Sequence, residues 1–455
     1  MITPERGSAA LDSMVAEADR LLAGADRAQA RGYPGERTGR QPVHTAYLPA
    51  DRFGPGLAAR WGRQALAALQ ACAPDPAEFG RAMGLPAALA ADVRSRVLAK
   101  LIAEPVEDLR LDFEDGYGDR GDDDEDADAR RAAECLAGEA AAGAAPPFTG
   151  LRCKSLEPAT RRRALRTLDV FLAGLLRCGP LPDGFVITLP KVTSADQVTA
   201  MARVCGLLEE SHGLAPRALV FETQVETPQA ILGADGTAVI ARCLHAAHEG
   251  RLTSLHYGTY DYSAALGIAA QQQSLEHPVA DHARAVMQVA AAGTGVRLCD
   301  GSSNVLPEGG RDQVIEAWVL HARLVRRSLD RGFYQGWDMH PAQLASRYAA
   351  TFGFFREGLP AAAARLRGYA EHRAGSGPGG TGRGQAGTEG GHGTARSGED
   401  RAERVLEEPA TARALAGFLS RGLDCGAITE PELAGLAGLD RAGLDALAGR
   451  GPAGR

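Results

Sequence analysis

Several features are scarce in this chain of 455 residues, and each scarcity excludes a class of protein. Basic residues are not in excess: the formal net charge is −7 and the pI is about 5.9, so general binding to nucleic acid or to an anionic membrane is not expected. No run of about 18 apolar residues occurs, and residues 1–14 lack the basic-then-apolar order of a signal peptide. We therefore expect neither membrane insertion nor export, and a cytoplasmic location.

Lysines are scarce as well, and closely spaced pairs of cysteines are absent from the sequence. The eight cysteines are scattered without CxxC pairs, which argues against a zinc knuckle or a disulfide framework. Only three lysines occur, Lys100, Lys154 and Lys191, although lysine and arginine together number 50. Because arginine supplies almost every other cation, lysine is expected where a compact ammonium group is needed.

Eight short segments rich in β-forming residues alternate with stretches of helical period. The segments are 43–49, 109–114, 150–154, 185–191, 218–226, 253–258, 295–300 and 336–341. A strand followed by a helix, repeated eight times, is typical of a closed parallel barrel. The sequence therefore predicts an α/β fold, a TIM (β/α)8 barrel with a small C-terminal helical appendage.

The segments outside this repeat predict the domain organisation. Residues 1–42 form an N-terminal helical segment, with a helix at 8–31 that packs outside or below the barrel, and 43–373 form the barrel. The long interval between the first two strands has room for two helices. Residues 374–400 form a flexible linker, since 374–394 hold ten glycines in 21 positions, and 401–455 form a cap of two or three short helices.

Polar residues collect at the predicted C-terminal ends of the strands, where barrels of this kind carry their catalytic groups. They are Asp112, Glu114 and Asp115 after the second strand, Arg152 and Lys154 on the third, Lys191 on the fourth, Glu222 and Glu226 on the fifth, Asp261 after the sixth, Asp300 on the seventh and His340 on the eighth. The acidic run 119–128 that follows is expected to be a solvated loop and the start of a helix, because like charges repel.

Three or four carboxylates cannot gather at one barrel mouth without counter-charge. Magnesium would supply it, because it binds one or two carboxylates and completes its coordination with water and substrate oxygens. Glu226 and Asp261, at the ends of neighbouring strands, are the natural pair of ligands. The two lysines at strand ends, Lys154 and Lys191, allow two other roles: ion pairs with Glu222 and Glu114 inside the barrel, or a Schiff base with a carbonyl substrate.

Four motifs, "ETPQAIL", "LHYGTYDYSAALG", "HARAVMQVAAAGTGVRLCDG" and "GWDMHPAQL", occur in order along residues 43–350. Together they resemble the HpcH/HpaI aldolase and citrate lyase beta-subunit-like superfamily, which includes malyl-CoA lyases, in a long form with a C-terminal helical extension. The resemblance implies a TIM barrel in which Glu226 and Asp261 hold Mg²⁺, or Mn²⁺ in its place. It further implies an acidic strand end at Asp112, Glu114 and Asp115, and a substrate carboxylate bound by Arg152.

The sequence departs from that family at three points. Lys154 stands where the family commonly has Asn, Glu222 precedes the usual Glu, and residues 375–455 differ from the short end of citrate lyase. The identity of the substrate therefore stays open.

These observations predict a Mg²⁺-dependent carbon–carbon lyase or aldolase that forms a metal-stabilised enolate. Its substrate would be a small 2-oxo acid or a malyl- or citryl-type molecule, with or without CoA, and the enzyme would be a homo-oligomer. The expected residues are Arg152, Lys154, Glu114, Asp115 and Asp112 for catalysis, Glu226 and Asp261 for the metal, and Arg152, Glu222, Asp300 and His340 for substrate binding. Two alternatives are a Schiff-base aldolase that uses Lys154 or Lys191, and a non-catalytic barrel that binds a metabolite.

Overall fold

The computed structural model describes residues 4–247, 250–375 and 408–450. The chain divides into two compact units, one extending to Thr351 and the other spanning Phe352–Gly451. The division falls inside a helix and precedes the predicted boundary at 373. Residues 376–400 of the predicted linker lie outside the described residues, so the linker stays a prediction.

Eight parallel strands form the first unit. They are β1 (His44–Pro49), β2 (Asp108–Asp112), β3 (Phe148–Arg152), β4 (Phe185–Leu189), β5 (Val220–Val225), β6 (Leu252–Tyr257), β7 (Arg297–Cys299) and β8 (Gly336–Asp338). They pair in the order β7-β6-β5-β4-β3-β2-β1-β8. The amide of Asp300 donates to the carbonyl of Gln335 at 2.8 Å and nearly closes the ring. The predicted TIM barrel and its eight strands are confirmed.

Helices connect the strands and cover the barrel. In the described part of the first unit they are α1 (Pro4–Gly32), α2 (Leu57–Cys72), α3 (Pro76–Met83), α4 (Ala87–Ala103), α5 (Asp122–Ala141), α6 (Arg161–Cys178), α7 (Ala195–His212), α8 (Pro228–Ile231), α9 (Val239–Ala246), α10 (Thr259–Ala265), α11 (Pro278–Ala291), α12 (Arg311–Asp330) and α13 (Gln343–Gly375), which continues into the second unit. Two short 3₁₀ helices lie at Ala50–Arg52 and Ala270–Gln272. Within the described residues, no helix is both long and apolar enough to span a membrane.

The interval between β1 and β2 holds three helices instead of the expected two. The additional one, α3, begins at a local signal: the Asp75 carboxylate accepts hydrogen bonds from the amides of Ala77 and Glu78, at 2.8 and 2.9 Å, and proline follows as the first helical residue. An acidic N-cap followed by proline is a common way to begin a helix.

The first helix is correctly predicted, but its expected packing is not found. From Ala10 to Arg31 the side chains are exposed except for the partly exposed Ala23. Apolar residues such as Leu11 and Met14 are therefore in solvent, with 56% and 63% of their surface exposed.

The acidic run 119–128 is a helix start, as predicted, but it is only partly solvated. Asp122, Asp123 and Asp124 are exposed in the first turn of α5, whereas Glu125 and Asp126 are buried. Asp126 is bound by arginines of α6, with Arg166 at 2.8 Å from its carboxylate. Arg163 and Arg166 of the neighbouring helix, together with Lys154, supply the counter-charge that allows these two acids to be buried.

The second unit contains the end of α13 together with α14 (Pro409–Cys425), α15 (Glu430–Ala437) and α16 (Arg441–Ala448). The three helices after α13 agree with the predicted cap. Aromatic rings of Phe355 and Phe418 pack 5.0 Å apart in its core. On α14, Asp424 is held by Arg441 at 2.7 Å and Arg450 at 2.8 Å, and it is thus engaged within its own unit.

The lower interior of the barrel is charged, whereas branched apolar side chains usually fill it. Arg110 lies between Asp108, 2.9 Å away, and Glu222, whose two oxygens are each 3.1 Å from its guanidinium. His256 approaches Glu222 at 3.0 Å, and Thr188 donates to it at 2.6 Å. Burial opposes the charge on Glu222, but Arg110 and His256 outweigh it and lower its pKa to about 2.

The charged interior gives a stability prediction. Glu222→Gln should lower the free energy of unfolding by about 3–5 kcal/mol near neutral pH, because Arg110 is left with an uncompensated buried charge. The pKa of Glu222 lies below its ordinary 4.5, so its stabilising effect is complete above that pH and disappears as pH falls towards 2. Chemical denaturation of both proteins should therefore show the difference shrinking over that interval.

Glu17→Gln in α1 is the matched control, since Glu17 pairs with Arg20 in solvent. It should leave the free energy of unfolding almost unchanged. An equally small effect of Glu222→Gln would contradict a structural role for the charged interior.

Candidate active site

The C-terminal ends of the strands surround a cavity of about 500 Å³. Its wall is formed by Tyr47, Pro49, Arg52, Asp112, Asp115, Gly116, Arg152, Glu226, Gly258, Thr259, Tyr260, Asp261, Ser302, Trp337 and Met339. The end of the barrel at which catalytic groups were expected therefore holds a cavity of suitable size for a small molecule.

An ion pair joins the ends of two neighbouring strands on this wall. Asp112 and Arg152 are the last residues of β2 and β3 and lie opposite each other in the register. Nε of Arg152 donates to Oδ1 of Asp112 at 2.6 Å, and Nη2 donates to Oδ2 at 2.7 Å. This geometry is the bidentate form that makes such pairs strong and fixes the plane of the guanidinium.

The same Asp112 carboxylate organises the turn after β2. It accepts hydrogen bonds from the amides of Glu114 at 2.9 Å and Gly116 at 2.8 Å. A Cβ atom on Gly116 would lie 2.6 Å from Oδ2 of Asp112, so glycine is required for the approach. The turn directs Glu114 back to Arg152, whose Nη1 is 3.2 Å from Oε2 of Glu114.

Glu226 follows β5 and lines the cavity, although only 2% of its surface is exposed. Oε1 accepts a hydrogen bond from the amide of Lys191 at 2.8 Å, and a Cβ on Gly258 would lie 2.5 Å from Oε2. In the orientation that satisfies both neighbours, the Gln224 amide donates to Glu226 at 3.1 Å and accepts from Arg152 at 3.3 Å. Burial raises the pKa of Glu226 to about 8 despite the nearby cations.

Lys191, two residues after β4, contacts three carboxylates at the edge of the cavity. Its Nζ is 2.6 Å from Glu114, 3.1 Å from Asp115 and 3.1 Å from Asp261, which lies in the first turn of α10. Burial opposes its charge, but Glu226 and Glu114 raise its pKa well above the ordinary value. Its backbone φ of 53° is rare for a residue with a side chain and stores strain, which is often found at functional sites.

The carboxylates of this site outnumber the cations that contact them. The five carboxylates are Asp112, Glu114, Asp115, Glu226 and Asp261. Arg152 and Lys191 form ion pairs with four of them, Glu226 is bound by the backbone amide of Lys191, and Arg52 also lines the cavity. Across the part of the chain that the structure describes, no three His, Cys, Asp or Glu side chains are grouped to hold a metal ion. Magnesium needs only one or two carboxylates, however, and excess negative charge favours a divalent cation. The donor set therefore fits one.

Two aromatic residues that the sequence argument did not single out also line the cavity. The rings of Tyr47 on β1 and Trp337 on β8 are 4.6 Å apart, and the guanidinium carbon of Arg152 is 5.1 Å from the centre of the Tyr47 ring. Tyr47 could have been found, since it lies two positions before the end of a predicted strand. Aromatic faces are apolar surfaces that stack on planar groups and favour cations.

Lys154 is not on the cavity wall. Its Nζ donates to the carbonyls of Phe113 at 2.9 Å and Gly118 at 3.2 Å, and to Glu125 of α5 at 2.7 Å. We expected it to share a face with Arg152 because side chains two apart on a strand do so. Because β3 ends at Arg152, the alternation of side chains along the strand does not extend to Lys154. Its expected position on the face of Arg152 is therefore wrong.

Three other predicted residues also lie elsewhere. Glu222 is deep in the barrel beside Arg110, and Asp300 is bound by Arg284 and Ser328, each at 2.5 Å. His340 is half-buried; its Nδ1 accepts from the amide of Ala342 at 3.2 Å, which holds the ring in a turn. The structure thus brings together Asp112, Glu114, Asp115, Arg152, Glu226 and Asp261, and separates them from Lys154, Glu222, Asp300 and His340.

The chain is similar to several solved structures. A malate synthase of Haloferax volcanii is 16% identical, with 69% of this chain and 76% of that chain covered and a TM-score of 0.46. CitE of Mycobacterium tuberculosis, in complex with magnesium and acetate, is 20% identical over 69% and 91% of the two chains, with a TM-score of 0.39. An HpcH/HpaI aldolase/citrate lyase family protein from Burkholderia cenocepacia is 14% identical over 71% and 95%, with a TM-score of 0.37.

Comparison with curated proteins gives no sequence match. A family model does match, and its description is "Domain of unknown function (DUF6986)". The match covers residues 22–382 and 394–450, which is most of the chain. This protein therefore belongs to the DUF6986 family.

Proposed function

We propose that the barrel is a divalent-metal-dependent carbon–carbon lyase or aldolase whose substrate is a 2-oxo acid or a malyl- or citryl-type molecule, with or without CoA. One observation carries the proposal: five carboxylates gather at or beside one cavity, and among the described residues Arg152 and Lys191 are the cations that form ion pairs with four of them. Such an excess of negative charge is costly in a folded protein and is usually retained for a cation or for chemistry.

Glu226 and Asp261 are the residues that would hold magnesium or manganese. Glu226 is buried and accepts hydrogen bonds from the backbone amide of Lys191 and the side-chain amide of Gln224, whereas Asp261 is about half exposed. When bound, the cation would stabilise negative charge that develops on the oxygen of an enolate.

Arg152 would orient the substrate by binding a carboxylate. Its Nε and Nη2 edge is held by Asp112, and Nη1 faces Glu114 at the cavity wall. Asp112 therefore acts as a positioning residue that fixes the guanidinium plane. Nη1 contacts Glu114 at 3.2 Å and Gln224 at 3.3 Å, and a substrate oxygen would have to replace or share one of these contacts. A fixed guanidinium loses little side-chain entropy when it binds.

Glu114 is the best candidate to carry the proton. Burial raises the pKa of Glu114 to about 6, even though Arg152 opposes the shift. A general acid or base is most effective when its pKa lies near the working pH. Asp115, with a lowered pKa and an exposed carboxylate, is less suited to this step.

The Schiff-base alternative has less support. Both lysines that could form the adduct are in contact with carboxylates: Lys191 with Glu114, Asp115 and Asp261, and Lys154 with Glu125. A lysine nucleophile must lose its proton, and neighbouring carboxylates oppose that loss.

Solvent exchange tests enolate chemistry before the true substrate is known. With magnesium in heavy water, the enzyme should exchange deuterium into the methyl group of pyruvate, and EDTA should stop the exchange. Proton NMR of the methyl signal measures the rate. Acetyl-CoA serves as the second probe; exchange into neither compound, or exchange that survives EDTA, would falsify the proposal.

A ligand substitution tests the metal site directly. Glu226→Gln should weaken Mn²⁺ binding by about tenfold or more, since one anionic ligand becomes neutral. Isothermal titration measures the dissociation constant. Glu17→Gln is the control, since it makes the same substitution at a carboxylate that pairs with Arg20 in solvent, and it should bind Mn²⁺ as the wild type does. Equal affinity of the Glu226 variant would exclude Glu226 as a ligand.

The two cations near the end of β3 form a second matched pair. Arg152→Lys should reduce the exchange rate by about a hundredfold, because an ammonium group cannot replace the bidentate guanidinium. Lys154→Met should retain the rate, since Lys154 is bound to Glu125 outside the cavity wall. A lower rate for Lys154→Met together with an unchanged rate for Arg152→Lys would instead assign the proton transfer to Lys154.

A further inference from the structure

The ammonium group of Lys191 stands among the carboxylates that a metal ion would seek. Its Nζ contacts Glu114 at 2.6 Å, both oxygens of Asp115 at 3.1 and 3.2 Å, and Asp261 at 3.1 Å. About a quarter of its side chain is exposed, and Asp115 and Asp261 are each about half exposed. The group is therefore at the solvent side of the site, where a cation would enter.

The arrangement suits lysine, in a chain whose cations are mostly arginine. An ammonium group is compact and can point one donor at each of three carboxylates, whereas a guanidinium is planar and suits paired oxygens. The backbone also contributes independently, since the Lys191 amide donates to Glu226 while the side chain bridges the other acids. One residue thus touches both expected metal ligands, Glu226 through its amide and Asp261 through its side chain.

A divalent cation and an ammonium group compete when they contact the same oxygens. Two positive charges a few ångströms apart repel strongly wherever water is partly excluded. The cation would have to displace the ammonium from Asp261 at least, and the positive charge of Lys191 would remain nearby.

We propose that Lys191 is an internal counter-cation that holds Glu114, Asp115 and Asp261 together and competes with the divalent metal ion for them. The inference rests on the proposed metal site and deepens it by assigning a regulator of its affinity. The ammonium limits the repulsion among the carboxylates when no metal ion is bound and weakens metal binding by occupying Asp261.

A charge-removing variant tests this competition. Lys191→Met keeps the length of the side chain and the Cβ atom, so the backbone strain at this position is unchanged. In EDTA, this variant should melt at a lower temperature than the wild type, because the carboxylates lose their counter-charge. Isothermal titration with Mn²⁺ alone should show a dissociation constant lower by about tenfold or more, since one opposing charge is gone.

Lys154→Met is the control, because it removes the same charge from a lysine that contacts Glu125 instead of the metal ligands. It should bind Mn²⁺ as the wild type does. Lys191→Arg should retain the weak binding, since the positive charge is kept.

The outcomes separate this inference from the proposed function. Tighter Mn²⁺ binding by Lys191→Met supports competition, even if the wild type binds too weakly to measure. Equal or weaker Mn²⁺ binding by Lys191→Met would overturn the proposed competition and would leave Lys191 with a purely structural role. If none of the proteins binds Mn²⁺, the metal site itself is wrong and the competition is wrong with it.

Discussion

The bidentate pair between Asp112 and Arg152 is the interaction on which the site depends. It joins the ends of two adjacent strands, so the register of β2 and β3 directly determines where the guanidinium lies. Its carboxylate also accepts two amides of the following turn and thereby positions Glu114. Through this one buried pair, the pairing of two strands determines how the proposed catalytic side chains are arranged.

A second charged layer lies below this site, around Arg110 and Glu222. A buried charge of this kind cannot easily change its partner, because breaking a buried ion pair costs more free energy than repacking apolar side chains would. The barrel therefore has polar networks at two depths. The upper one faces the cavity at the C-terminal ends of the strands, and the lower one is buried and borders a second cavity of about 450 Å³.

The repeating pattern of the sequence predicts much of this structure. Strand and helix periodicity identified all eight strands and most of the helices, and the rule that barrels work at their strand ends located Asp112, Arg152, Glu226 and Asp261. The depth of each side chain in the barrel was harder to predict. Glu222 and Glu226 share a strand face, yet they are four residues apart. At a rise of about 3.3 Å per residue, this places them at opposite ends of the barrel interior.

Other differences arise from contacts that no local pattern contains. Lys154 leaves the face of Arg152 because β3 ends between them, and Glu125 and Asp126 are buried because α6 carries arginines opposite them. Strand ends vary by one or two residues, and an ion pair between distant segments depends on packing. The sequence shows which side chains are available, and tertiary packing decides which of them face the cavity.

The excess of carboxylates at the cavity also has a consequence for the order of events. A negatively charged substrate that approaches Asp115 and Asp261 meets repulsion until positive charge has been added there. Under the proposed function the cation would therefore bind first, and a substrate acid would follow it into a site whose potential is less negative. Such an order would make substrate binding conditional on metal supply.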